Sequence, residues 1–145
     1  MEAVAAKTGE LADGEMKEVD LGQGKALLVY QDGEYSAIGH KCTHYGAPLA
    51  KGCLGNGRVR CPWHGACFNV KTGDIEDFPG LDGIHKFEVK VVGEDVIVKA
   101  EKAALKNFRR TLPMCSGKPE EDSRTFLIIG GGKALYLVGF NEVCK

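Results

Sequence analysis

Apolar and polar residues alternate in short stretches through the first hundred positions, and a period of two predicts strands. Met16–Leu21 alternates weakly and Lys25–Tyr30 more strongly. Gln31-Asp32-Gly33-Glu34 predicts a hairpin turn before Tyr35–Gly39, because Asp-Gly supplies the positive backbone angles that tight hairpins need. A second hairpin is expected from Lys86–Val92, a Gly93-Glu94 turn and Asp95–Lys99. In it Phe87, Val89 and Val91 alternate with Lys86, Glu88 and Lys90, so one face should be buried and the other wet.

Between the hairpins, about 39–83, periodicity gives way to Gly, Pro, Cys and His. Gly57–Arg60 and Ala66–Asn69 read as short strands, and Lys71-Thr72-Gly73-Asp74 as a turn. The picture is a ligand-rich insert standing on an all-β base. Residues 1–9 are expected to be a flexible N-terminus. Glu101–Arg110 carries a short amphipathic helical pattern, and Thr111–Ser123 reads as a linker, so 103–124 is taken as helix plus linker. Leu127–Ile129 running into Gly130-Gly131-Gly132 looks like the opening of a dinucleotide-binding fingerprint. Leu135 stands where its third glycine or alanine belongs, and the chain ends before the acidic residue expected about twenty residues on. Residues 125–145 are therefore read as a truncated, non-functional start of such a strand, with no FAD or NAD site.

The 145 residues suit one domain, or a small domain with a tail. Hydrophobic residues at 43% and charged residues at 27% are ordinary for a packed core and argue against wholesale disorder. Nineteen basic against twenty acidic residues leave a net charge of -1, which gives no argument for nucleic acid or an anionic membrane as partner. No apolar run reaches the roughly 20 residues of a membrane span. The acidic, Arg-free start lacks the marks of a secretory or mitochondrial leader. Cytoplasm is the expected location, mitochondrion the alternative.

Six cysteines could form three disulfides, but without a secretory context metal binding by a subset is the better use. The pattern that carries chemistry is Cys42-Thr43-His44, sixteen residues, then Cys61-Pro62-Trp63-His64. Soft thiolates with imidazoles suit iron–sulfur or zinc, not magnesium or calcium. A loop offering Cys and His a residue or two apart can reach both irons of a sulfide-bridged pair, and two such loops can clamp it. One iron then takes both thiolates and the other both imidazoles. Glycines beside each pair let the backbone approach and aim N–H groups at sulfur. Neutral imidazoles in place of two thiolates reduce negative charge and raise the potential. A structural zinc site using the same four residues is the competing reading. Common zinc spacings, however, pair Cys with Cys and His with His.

At these residues the chain resembles the Rieske [2Fe–2S] family, whose motif is Cys-x-His, a spacer of this size, and Cys-x-x-His. The resemblance covers about Glu10 to Ala100 and implies a Rieske domain over 10–102. It also implies an antiparallel β-sandwich base with a small cluster-binding subdomain, and one [2Fe–2S] cluster held by Cys42, His44, Cys61 and His64. Gly39–Leu49, Arg58–Phe68 and Asp77-Phe78-Pro79-Gly80-Leu81 are similar, in particular, to the N-terminal Rieske domain of apoptosis-inducing-factor-like proteins, the apoptosis-inducing factor 3 group among them. In that family the domain precedes an FAD- and NAD(P)H-binding reductase. The resemblance thus implies a one-electron carrier between a flavin-dependent NAD(P)H reductase and an acceptor. Such a carrier is of oxidoreductase class with no catalytic site of its own. A redox or regulatory protein linked to apoptosis is the alternative.

Ala47 and Trp63 occupy the places where high-potential respiratory members carry a disulfide. Ala66 and Phe68 occupy those of a serine and a tyrosine that donate to the cluster sulfurs, and neither can donate. Lost donors destabilise an electron-rich reduced form, so a potential near the low end of the class range of about −150 to +300 mV is expected. Phe78-Pro79-Gly80 resembles the family's proline loop, a lid over the cluster. His40, His85 and the cysteines Cys53, Cys67, Cys115 and Cys144 are read as outside the ligand set, with Cys67 buried as a small apolar group.

Overall fold

The computed structural model describes residues 1–110 and, beyond them, the backbone of two strands, Thr125–Ile129 and Tyr136–Phe140. The chain divides into two units, Met1–Leu112 and Pro113–Lys145.

In the first unit, six strands form one antiparallel sheet: β1 (Glu2–Lys7), β2 (Glu15–Asp20), β3 (Lys25–Gln31), β4 (Glu34–Gly39), β9 (Lys86–Val92) and β10 (Asp95–Lys99). Their order is β1-β10-β9-β4-β3-β2, and the two edge strands come back into contact. The base is thus a sheet curled so that its halves face each other round a core of Leu11, Val19, Leu21, Leu28, Phe87, Val96 and Val98. The β3–β4 hairpin closes on Gln31 opposite Glu34, with Asp32 at φ 54° and Gly33 at φ 77°, the positive pair the sequence calls for.

Strand β3 is buried on both faces. Ala26 and Leu28 enter the base core, whereas Leu27 and Val29 enter a second core. That second core belongs to the insert, which leaves the base at Gly39 and returns at Lys86. The Gly39 N–H donating to the His85 carbonyl at 2.8 Å closes its neck. The insert holds a four-stranded antiparallel sheet, β5 (Cys53–Gly55), β6 (Arg58–Arg60), β7 (Cys67–Asn69) and β8 (Ile75–Asp77), in sequence order. Leu49, Val59, Phe68 and Ile84 pack it onto Leu27, Val29 and Ile38.

Three expectations are corrected. Residues 1–9 are not simply a flexible terminus: β1 pairs with β10, Glu2 opposite Lys99 through Lys7 opposite Asp95. The alternating face of β9 is buried only at Phe87; Val91 is 51% exposed because this hairpin runs past the core. The helix after β10, α1, covers only Lys102–Lys106. Extended backbone at Asn107 ends it, and Arg110 bridges to Gly83 instead.

In the second unit, β11 (Thr125–Ile129) and β12 (Tyr136–Phe140) form an antiparallel pair, Thr125 opposite Phe140 and Ile129 opposite Tyr136. A dinucleotide-binding turn would lead from strand to helix. The element that follows is an antiparallel strand, so the fingerprint reading of 125–145 is withdrawn. The linker expected at 111–123, Gly130–Gly132, Cys115 and Cys144 lie outside the described residues. Among the described residues, no helix is long and apolar enough to cross a membrane.

Candidate metal centre

Two loops of the insert carry the four residues singled out by the sequence, and they share one backbone frame. In the first, the Gly46 N–H donates to the Cys42 carbonyl at 2.8 Å and the Cys42 N–H to the Ala47 carbonyl at 2.9 Å. In the second, the Gly65 N–H donates to the Cys61 carbonyl at 3.2 Å and the Cys61 N–H to the Ala66 carbonyl at 2.8 Å. Gly46 and Gly65 adopt φ of 73° and 82°, which side chains resist. The frames match cysteine for cysteine and glycine for glycine, but the histidine falls on the third residue of one turn and the fourth of the other. Gly52 brings the loops together: a Cβ there would lie 2.1 Å from the Arg60 carbonyl, immediately before Cys61.

The four side chains form two close pairs, one more deeply buried than the other. Cys42 and Cys61 are buried at 1% and 4% exposure and lie beside each other. Burial, then the adjacent Cys61 sulfur, pushes the Cys42 thiol up, while backbone N–H groups of His44 and Tyr45 pull it down. The imidazoles of His44 and His64 meet edge to face, 4.9 Å between centroids, with His44 half-buried and His64 exposed. Tyr45 covers both, 4.2 Å from His44 and 5.8 Å from His64. His44 Nδ1 is buried and has no hydrogen-bond partner.

That orphaned nitrogen is a donor atom awaiting an acceptor of its lone pair, since burying it unpaired costs about 1–3 kcal/mol. The Cys42 sulfur, met by backbone N–H donors while burial pushes its thiol up, needs positive charge nearby to rest as a thiolate. Sulfur beside imidazole nitrogen is a donor set that fits iron–sulfur or zinc. Among the described residues, no three His, Cys, Asp or Glu side chains gather round a single ion's position.

Several neighbours complete the surroundings of the two loops. Thr43, between two of the four residues and only 3% exposed, donates its hydroxyl to the Asp82 carbonyl at 2.7 Å. Arg60 donates to the Gly65 carbonyl at 2.7 Å and to Asp77 at 3.2 Å, tying the second loop to β8. Gly80 of the Phe78-Pro79-Gly80 segment, whose Phe78–Pro79 bond is cis, packs against Thr43 and His44. Thr43 offered a signal by its place in the motif, and the Gly80 segment by its resemblance to the proline loop; the Arg60 clamp offered none. His40 sits away among Glu18, Lys25 and Lys41, lowered by burial. His85 lies at the neck, Cys67 is buried, and Cys53 is exposed; both thiols are free.

An all-β domain whose insert sets two buried thiols side by side and two imidazoles edge to face fits the class of mixed Cys/His metal proteins. The sequence model of the Rieske [2Fe–2S] domain matches residues 1–92, and the chain belongs to that family, whose cofactor is a [2Fe–2S] cluster. It is 54% identical over 138 residues to apoptosis-inducing factor 3 of Mus musculus, covering 92% of this chain but 23% of that protein. It is 35% identical over 94 residues to the ferredoxin component of biphenyl 2,3-dioxygenase from Rhodococcus jostii (strain RHA1), covering 65% of this chain and 88% of the relative. Among solved structures, a complex of reduced oxygenase and oxidized ferredoxin in carbazole 1,9a-dioxygenase contains a chain matching at a TM-score of 0.64 and 28% identity. The match covers 69% of this chain and 97% of that one.

Proposed function

We propose that this chain is a one-electron carrier in which Cys42 and Cys61 ligate one iron of a [2Fe–2S] cluster and His44 and His64 the other. The observation that carries the reading is the segregation of the pairs: two buried thiols side by side, and two imidazoles edge to face, one half-buried and one exposed. A bound cluster of this kind supplies reversible storage of one electron. The chain's own residues do the rest. Cys42 and Cys61 keep the sulfur end dry. His64 reaches solvent, so its far nitrogen is the nearest polar atom to a docked partner. Tyr45, Trp63, Phe78 and Leu81, between 58% and 84% exposed, form an apolar collar at the two loops and the Gly80 segment. Arg58 and Arg60 beside it are already paired with Glu76 and Asp77. Docking through such a face is governed by shape and burial more than by charge.

The donor we infer is a flavin-dependent NAD(P)H reductase, within the same polypeptide or separate, and the acceptor a second redox protein. Relatives that work as ferredoxin components support a carrier role, and the relative of which this chain spans 23% supports a larger redox assembly.

The test is iron and acid-labile sulfide analysis with electron paramagnetic resonance of the reduced protein. Two irons and two sulfides per chain with the low-average-g signal of mixed His/Cys ligation are expected. A colourless protein loaded with zinc overturns the ligand set. Failure of any NAD(P)H–flavin reductase to reduce an iron-loaded protein overturns the donor and leaves the ligands standing.

A further inference from the structure

We propose that Arg110 is a positioning residue for this centre: from the segment after α1 it clamps the return limb of the Phe78–Ile84 loop, and that limb holds the first ligand loop. Three attachments meet on this one residue. Its backbone N–H donates to the Gly83 carbonyl at 2.9 Å, its Nε donates to the Ile84 carbonyl at 3.0 Å, and its guanidinium pairs with Asp74. The limb has no slack between its neighbours. The Ile84 N–H donates to the Gly73 carbonyl at 2.8 Å. A Cβ on Gly83 would lie 2.8 Å from the Gly73 carbonyl oxygen and 3.0 Å from Arg110 Nη2. The limb is thus gripped between the turn at Gly73 and the guanidinium.

One residue earlier the grip passes to the ligands. The Asp82 carbonyl accepts the Thr43 hydroxyl, and Thr43 lies between Cys42 and His44. Arg109 adds a weaker hold, 3.9 Å from the Asp82 carboxylate. Every link but this last is a directed hydrogen bond or close packing, so displacement of Arg110 is transmitted and not absorbed. What the Arg110 clamp positions rests on the carrier reading; the clamp itself does not.

The test is amide hydrogen exchange on the cluster-loaded full chain, with the reduction potential as a second readout. Arg110→Ala should speed exchange about tenfold or more at Gly83 and Ile84 and in residues 42–47, leaving β3 and β10 within about twofold. The potential should rise as water gains access to the centre. Arg110→Lys keeps the ion pair to Asp74 but loses the geometry at Ile84, and should fall between. Thr43→Val should loosen residues 42–47 without moving Ile84. Unchanged exchange in 42–47 overturns the proposal, as does a rise of equal size in β3. If Arg110→Ala does not fold, Arg110→Lys and Asp74→Asn give the same readout. A chain without iron sinks the carrier reading and leaves the exchange of the loops measurable.

Discussion

Strands of five to seven residues make the base, whereas each of the four strands in the ligand-bearing insert is three residues long. The base closes through alternating side chains and two-residue hairpins, and its core is aliphatic with one phenylalanine. The insert holds its shape with glycines at positive φ, main-chain bonds inside each turn, and side-chain clamps from Thr43, Arg60 and Arg110. Two of its buried side chains, Cys42 and Cys61, are reserved for metal on the reading above. Burial supports both regions, and the insert adds main-chain turns and side-chain clamps to a core of its own. Strands this short are marginal without outside support.

Removing the metal should break the two regions apart most sharply. Cys42→Ser is expected to lose all iron and sulfide, with about a hundredfold faster amide exchange at Arg58–Arg60 and Cys67–Asn69 and little change in β10. Equal loss in both regions would make the insert's shape independent of its ligands. Next in size, Leu28→Ala empties a site at 0% exposure in the base core. It should cost about 2–5 kcal/mol, read as a lower urea midpoint at unchanged slope. Iron content should hold in the folded protein.

A subtler contrast uses two alanines, both at 0% exposure, Ala66 in the insert and Ala37 in the base. Ala66→Ser adds a hydroxyl beside the ligand loop and should raise the midpoint potential by part of the roughly 450 mV class span, whereas Ala37→Ser should not move it. A potential unchanged by Ala66→Ser removes the donor argument for a low-potential centre.

The smallest effect concerns acid. Glu88 of the base is held below the ordinary 4.5 by Lys90 and Lys99, and Glu76 of the insert by Arg58 and Asn69. Folded carboxylates with lowered pKa bind protons less readily than unfolded ones. Their contribution is therefore full above 4.5 and lost as pH falls through the folded values. Thermal midpoints should decline below that pH, and Glu88→Gln or Glu76→Gln should each make the decline slightly shallower. A midpoint that rises on acidification contradicts the sign.

The sequence made the two hairpins readable because Asp-Gly and Gly-Glu sit between alternating runs, a purely local signal. It missed β1, whose Ala3, Ala5 and Ala6 state no strand preference, and it missed β5 and β8, too short for any period. At the site, residue type announced the chemistry of Cys42, His44, Cys61 and His64. The depth of each was silent, since His44 and His64 differ by a single step along equivalent turns. Arg110 was invisible for another reason: its partners Ile84 and Asp74 lie 26 and 36 residues away, and no local pattern encodes a contact that only the folded chain creates.

Because β3 has no solvent side, the molecule has a party wall in place of an outer one. Leu27 and Leu28 are adjacent in the chain yet serve opposite rooms. A domain built this way cannot be trimmed to its metal-bearing half without leaving a greasy face open to water. Any ancestor or designed minimal version that kept the centre would have to keep the wall.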